Sequence, residues 1–238
     1  MYDYNTMSIV KSFKKWVKSV VELAQDLLVP EDFKIQKLLN LPAGTMRDLL
    51  PKSPVYSKNI FVLFDYQNKV VRLIVKSIKY KNNANLRKRV AGYLYEEIID
   101  LASEIALFEG TSPLLVPMPM SKKEKRNRGF NQCEELVREI KKLGEENIEV
   151  SYNTLKKVRE TERQTKLSRE ARMKNVKNSM AAINTDVYTN VSTPVSTTQY
   201  RTVIVLDDVY TTGASLSEAR RALLETGAKR VIGLFITH

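Results

Sequence analysis

The chain of 238 residues contains one histidine, His238, and one cysteine, Cys133. Nucleophilic chemistry built on a Ser-His or Cys-His pair therefore has almost no material. A lone cysteine also excludes an internal disulfide and any cysteine-rich zinc site. No apolar run approaches the ~20 residues needed to span a bilayer, and the start MYDYNTM lacks the charged-then-apolar plan of a secretory signal. These two absences lead us to expect a cytoplasmic protein with no membrane span. What the chain does have is positive charge, +12 in all. From Lys122 to Lys177 there are 17 Lys or Arg against 10 Asp or Glu, so the excess is concentrated there. Such a balance calls for an anionic partner, either a pyrophosphate-bearing small molecule or nucleic acid; a solvated face kept soluble by charge is the bland alternative.

The hydrophobic content of 43 % is ordinary for a globular protein, and the length suits one α/β domain with a small appendage. Ser8 to Leu28 carries apolar residues at spacings of three and four, which predicts an amphipathic helix ended by Pro30. Its apolar face, Ile9 to Leu28, suits docking on the domain, on a partner chain or on a second copy, while Lys11, Lys14, Lys15 and Lys18 also suit an anionic surface. From Glu31 to Lys58 the pattern is weak and punctuated by prolines, so the expected division is an appendage over residues 1–55 and a core over 56–238.

Within the core, Asn59 to Tyr66 reads as a strand. Val70 to Ile78 and Leu86 to Phe108 read as helices and Leu114 to Met120 as a buried strand. The basic run Ser121 to Gln132 follows as a loop. Gln132 to Leu143 is helical, Ile148 to Val158 a strand with an irregular entry, and Ser168 to Val176 a short helix opened by a serine cap. Met180 to Asp186 reads as another strand, and Val187 to Tyr200 as a surface loop or hairpin. A final βαβ unit runs from Val203 to Ile236.

The most informative stretch is VIVLDDVYTTGAS, Val203 to Ser215. Four apolar residues form a buried strand, and Asp207 and Asp208 stand at its carboxyl end, where open α/β sheets place their ligands. Thr211, Thr212, Gly213, Ala214 and Ser215 then open a helix whose first N–H groups suit a phosphate. Acids repel phosphate, so the pair beside such a cradle implies a ligand carrying both hydroxyls and phosphate, a sugar phosphate. An ordinary strand-to-helix turn with one aspartate as a cap is the alternative, but a cap needs one acid only. The parallel strand ending at Met120 delivers Ser121, Lys122, Lys123, Lys125, Arg126 and Arg128 to the same edge. Cations and backbone donors there suit a pyrophosphate leaving group.

Val203 to Ser215 resembles the phosphoribosyl-pyrophosphate (PRPP) motif of type I phosphoribosyltransferases. Further motifs keep the order of a closer family: IKYK at Ile78 to Lys81, RGFNQ at Arg128 to Gln132, R-x-T-x-x-Q-x-x-L at Arg159 to Leu167, the Arg172 and Asn175 pair, and DLLVP at Asp26 to Pro30. Together they resemble the ComF family of competence-associated, phosphoribosyltransferase-like proteins over about the last three-quarters of the chain.

The resemblance implies an α/β, type I phosphoribosyltransferase-like fold: a mostly parallel central sheet flanked by helices, with a small N-terminal helical appendage. By carry-over, Asp207 and Asp208 hold the ribose and serve catalysis, Thr211 to Ser215 hold the 5-phosphate, and Ser121, Lys122 and Lys123 hold pyrophosphate. Arg128, Arg159, Arg163 and Arg172 are flexible-loop candidates. Mg²⁺ is expected with PRPP through ligand oxygens and water, without direct protein ligation. Glu31 to Pro54 holds no cysteine, so the family's four-cysteine zinc ribbon is absent and no zinc is expected. Tyr210 stands where the family has an aliphatic residue, either crowding the ribose or packing sideways. The implied function is transfer of a phosphoribosyl group to an unidentified nitrogen acceptor, linked to DNA uptake. The alternatives are a non-catalytic adaptor that binds single-stranded DNA or competence-machinery proteins, and a PRPP-sensing regulator. Self-association is a further expectation.

Overall fold

The computed structural model describes residues 30–55, 57–144, 148–161, 168–183, 186–187, 195–196 and 201–238. The expected helix Ser8 to Leu28 lies outside them, as does Arg163. The chain divides into two compact units, 1–42 and 43–238. In the first, α1 (Glu31–Leu39) starts with Pro30 at its N-cap and carries Glu31 and Asp32 in its first turn and Lys37 in its last, charges that complement the helix dipole. The second unit begins with α2 (Ala43–Asp48), where Arg47 pairs with Glu96 and Glu97 and the Tyr93 hydroxyl donates to Ala43 O at 2.7 Å.

The second unit holds a five-stranded sheet in which every neighbouring pair is parallel. Its spatial order is β1 (Ile60–Phe64), β9 (Arg230–Thr237), β8 (Thr202–Val209), β2 (Leu114–Pro117) and β3 (Glu149–Val150). The expected α/β architecture with a mostly parallel central sheet flanked by helices is what the structure has. Val203 to Leu206 and Val231 to Ile236 are buried almost throughout. That near-continuous apolar pattern marks strands covered on both faces.

The helices follow from their faces and caps. α3 (Lys69–Lys81) buries Val71, Ile74, Val75 and Ile78 along one side, the 3.6-residue period read in the sequence. Asn68 caps it, accepting from the Val70 and Val71 amides. Asn82 ends it in the left-handed region at φ 49°, and Asn83 immediately caps α4 (Ala84–Glu109). Two adjacent asparagines thus stop one helix and start the next. α6 (Gln132–Leu143) packs on α4, β2 and β8, and α8 (Ala214–Glu225) on β8 and β9. Right-handed crossovers put α6 and α8 on opposite faces of the sheet, because β2 leads outward to β3 and β8 leads the other way to β9. No described helix is long and apolar enough to cross a membrane.

Three stretches differ from expectation. The basic run after β2 is a helix, α5 (Lys122–Arg128), because Ser121 and Glu124 form a reciprocal capping box. The buried strand stops at Pro117, short of Met120. The single strand expected over Ile148 to Val158 is two, since Ser151 Oγ accepts from the Asn153 amide and the Thr154 hydroxyl and turns the chain. Past that turn β4 (Leu155–Lys157) pairs antiparallel with β5 (Met180–Ala182) in a separate sheet. The helix expected after Ser168 is α7 (Arg169–Val176), with Ser168 as its cap. β6 (Asp186–Val187) and β7 (Val195–Ser196) pair antiparallel.

Candidate ligand site at the switch of the sheet

The strand order reverses between β2 and β8, the position at which open α/β sheets bind ligands beyond their carboxyl ends. The two strands lie side by side in register, Pro117 opposite Leu206, and the Met118 amide donates to Leu206 O at 2.8 Å. The acidic end of β8 and the chain leaving β2 therefore meet at one edge.

Asp207 and Asp208 are each anchored through one oxygen. Asp207 Oδ1 accepts from the Asp208 amide at 2.9 Å and from the Cys133 thiol at 3.5 Å. Asp208 Oδ2 takes the Gln132 amide at 3.1 Å and the Lys79 ammonium at 2.9 Å. Among the described residues nothing bonds Asp207 Oδ2 or Asp208 Oδ1. Two carboxylates so close, with one cation between them, are under-compensated. Burial, followed by the Asp208 charge, pushes the Asp207 carboxyl up to about 7. Burial works against the Lys79 ammonium, but Asp208 and then Asp207 outweigh it and raise its pKa above the ordinary value. Burial and the same two acids push the Cys133 thiol well up, so it is a neutral donor and no thiolate nucleophile.

The motifs IKYK and RGFNQ converge on Asp208 through Lys79 and Gln132. In IKYK, Ile78 is buried in the core, Lys79 pairs with Asp208 and Tyr80 receives the Arg128 guanidinium over its ring at 5.4 Å. In RGFNQ, Arg128 donates to Gln132 Oε1 at 2.5 Å and Gly129 closes α5 at φ 86°. Asn131 does two jobs: its carbonyl oxygen caps α6 at the Cys133 amide, and its NH₂ donates to Met118 O at 3.0 Å. That double bond ties the start of α6 to the exit of β2 and so holds Gln132 and Cys133 over the acids. Sequence reasoning quoted Lys79 and Gln132 within motifs but assigned neither to the site. The spacing of buried positions on α3 was the available signal, because it put a lysine next to the buried face.

The cradle after the acids has the expected form. Gly213 is the N-cap of α8 at φ 75° and makes no side-chain cap bond, and Ala214 is buried behind it. Only a long contact, 3.4 Å, links the Ala214 amide to Thr212 Oγ1. A Cβ on Gly213 would also lie 2.9 Å from the Tyr210 hydroxyl, so both backbone and space require glycine. Tyr210 packs sideways: its ring meets Phe235 edge-on at 5.0 Å and lies 5.7 Å from the His238 ring. The chain's only histidine is thus half of an aromatic pair.

On the cationic side, Ser121 is buried as the α5 cap, and Lys122 and Lys123 are exposed in the first turn. The Glu160 carboxylate already occupies the Lys123 amide at 3.2 Å. The Ser121 hydroxyl, and then that amide, hold its pKa below the usual carboxylate value. Arg159 donates to Asn175 O and Lys177 O, both at 2.8 Å, fastening the end of α7. Arg172 lies within α7, half-buried.

No family model matches the chain. It is 24 % identical to Competence protein F of Haemophilus influenzae over 76 % of this chain and 73 % of that protein. It is 28 % identical to the DNA utilization protein YhgH of Salmonella typhi over 81 % and 75 %. Relatives named Competence protein F, ComFC and YhgH, at 24–31 % identity, support the resemblance to the ComF family. A hypoxanthine-guanine phosphoribosyl transferase of L. donovani overlaps 63 % of this chain and 67 % of its own at 12 % identity, with a TM-score of 0.34. The fold assignment rests on the parallel sheet itself.

Proposed function

We propose that this protein is of the ComF type, binds PRPP and transfers its phosphoribosyl group to a nitrogen acceptor with release of pyrophosphate, in the service of competence and DNA use. The observation that carries the reading is the pairing of two half-engaged carboxylates with an uncapped helix start on one strand-to-helix connection. Asp207 Oδ2 and Asp208 Oδ1 are available to two ribose hydroxyls. The N–H groups opening α8 suit the 5-phosphate. The names of the relatives, a competence protein and a DNA utilization protein, support the biological setting.

In this reaction the acceptor nitrogen's lone pair forms the bond to the anomeric carbon as the bond to the pyrophosphate oxygen breaks. The pair from that bond leaves with pyrophosphate, and the acceptor's proton passes to solvent. The protein's part is positioning and electrostatic preorganisation, which needs no histidine. Lys79 and Gln132 hold Asp208 in place, and the neutral Cys133 thiol steadies Asp207. Among the described residues no group of three or more His, Cys, Asp or Glu is disposed to hold a metal ion. The half-free carboxylates fit Mg²⁺ through water, with the pyrophosphate oxygens as its main ligands, and bound there it would neutralise leaving-group charge.

Calorimetric titration of the full chain with PRPP and Mg²⁺ tests the reading. Wild type should give saturable heat that the Asp207→Ala, Asp208→Ala double variant loses. Absence of heat from wild type, or equal heats from both, sinks it. PRPP-dependent pyrophosphate release across a panel of nucleobases then separates turnover from binding.

A second reading, a non-catalytic adaptor for single-stranded DNA, is favoured by the net charge of +12 and by two arginine–tyrosine stacks, Arg128 on Tyr80 and Arg138 on Tyr152. It predicts DNA binding that weakens steeply with salt and does not need the aspartates.

A further inference from the structure

Tyr80 is out of place on α3. Ile78, two residues before it, is 2 % exposed and Tyr80 is 63 % exposed, so the ring adds little to the core. Exposure of a single aromatic means little by itself. Here, however, the ring is wired to the acidic pair. Arg128 lies over it at 5.4 Å, the same arginine donates to Gln132, and Gln132 donates to Asp208. From the other direction Lys79, the residue before Tyr80, is bonded to Asp208. Ring, guanidinium, amide and carboxylate form one continuous chain.

We infer that Tyr80, backed by Arg128, is a stacking platform for a planar heteroaromatic ring of the nucleobase class. The guanidinium lies over the ring at 5.4 Å, and most of the side chain stays open to a ligand. Stacking of a base on an aromatic side chain tolerates any base, because each has a π-face. The inference rests on the proposed function only for what lies next to the platform. If ribose occupies Asp207 and Asp208, a base on Tyr80 stands beside the sugar, where a nitrogen acceptor has to approach. A free base and a base carried by a single strand present the same ring, and the test has one arm for each source.

The test is a fluorescence titration of the full chain with 2-aminopurine, supplied as the free base and within a short single strand of thymidines. Stacking quenches this probe. Wild type and Tyr80→Phe, which keeps the ring, should quench at least one form, and Tyr80→Ala should bind that form about tenfold or more weakly. Thermal melts of both variants confirm that they fold. Quenching of the free base identifies a small acceptor; quenching confined to the strand identifies a base presented by DNA. Equal affinity of Tyr80→Ala and wild type for both probes overturns the inference, as does wild type that quenches neither. PRPP heat is a separate readout: a Tyr80-dependent quench without PRPP heat leaves the platform standing and removes the phosphoribosyl reading, and the converse result does the reverse.

Discussion

Two buried charge clusters touch the same helix and differ in how they are balanced. Along the length of α6, Glu135 and Glu139 face Arg87 of α4, at 3.8 and 3.7 Å, with Arg138 on Glu135 and Lys142 on Glu139 from outside. Three cations thus serve two acids, and Arg87 is also bonded to Asn82. At the start of α6, Gln132 and Cys133 meet Asp207 and Asp208, which among the described residues share one cation, Lys79, and keep two oxygens without partners. The first cluster has more cations than acids and fixes helix on helix. The second is short of positive charge and of donors, which is the condition under which a ligand's hydroxyls are welcome.

Exchanging the roles of the clusters should give a double dissociation, and the largest effect lies there. Arg87→Met removes an arginine that is only 8 % exposed and leaves Glu135 and Glu139 to Arg138 and Lys142 alone, and loss of a charged partner costs about 1.5–3 kcal/mol. Chemical denaturation should show that loss with PRPP affinity unchanged in the folded fraction. Asp208→Asn should do the opposite. It relieves the acidic pair, so stability changes by less than about 1 kcal/mol, while PRPP affinity falls on the order of 100-fold as a charged acceptor is lost. A stable Arg87→Met, or an Asp208→Asn that binds PRPP normally, breaks the contrast.

A smaller effect comes from pH. Asp207 holds its proton up to about 7 in the folded protein, against about 4 when unfolded. The native state then binds more protons across that window, so stability is full below pH 4 and falls as pH rises toward 7. The thermal midpoint of wild type relative to Asp207→Asn should therefore decline between pH 5 and pH 8. A relative midpoint that rises over the same interval contradicts the assignment of Asp207 as the under-compensated acid.

The sequence made the acidic side easy to read and the cationic side hard. Val203 to Ser215 announces itself because a fully buried parallel strand is a run of apolar residues, and the residues after it are dictated by backbone needs at Gly213 and by the helix start. Lys79 and Gln132 were hidden because their partner, Asp208, is 129 and 76 residues away, a separation that no local period reports. Helix α5 was missed for another reason. Its capping box, Ser121 with Glu124, stood in the sequence, but a run of five cations among seven residues reads as solvated loop unless the cap is noticed first. Tyr210 was undecidable from sequence because its direction depends on Phe235 and His238, on and just after the next strand of the sheet.

The smallest expected effect sharpens the comparison on that cationic side. Glu160 sits on the Lys123 amide and the Ser121 hydroxyl, donors assigned above to pyrophosphate, so a carboxylate of the protein stands where the proposed leaving group would. An anion must displace it or share its donors. Glu160→Gln removes the like charge and keeps the shape, and should tighten inorganic pyrophosphate binding about two- to fivefold, because exposed charge contacts are weak and screened. Calorimetry at low and high salt checks this, with the gain shrinking as salt rises. Weaker binding by Glu160→Gln would mean that the carboxylate organises Ser121 and Lys123 for the ligand and does not compete with it.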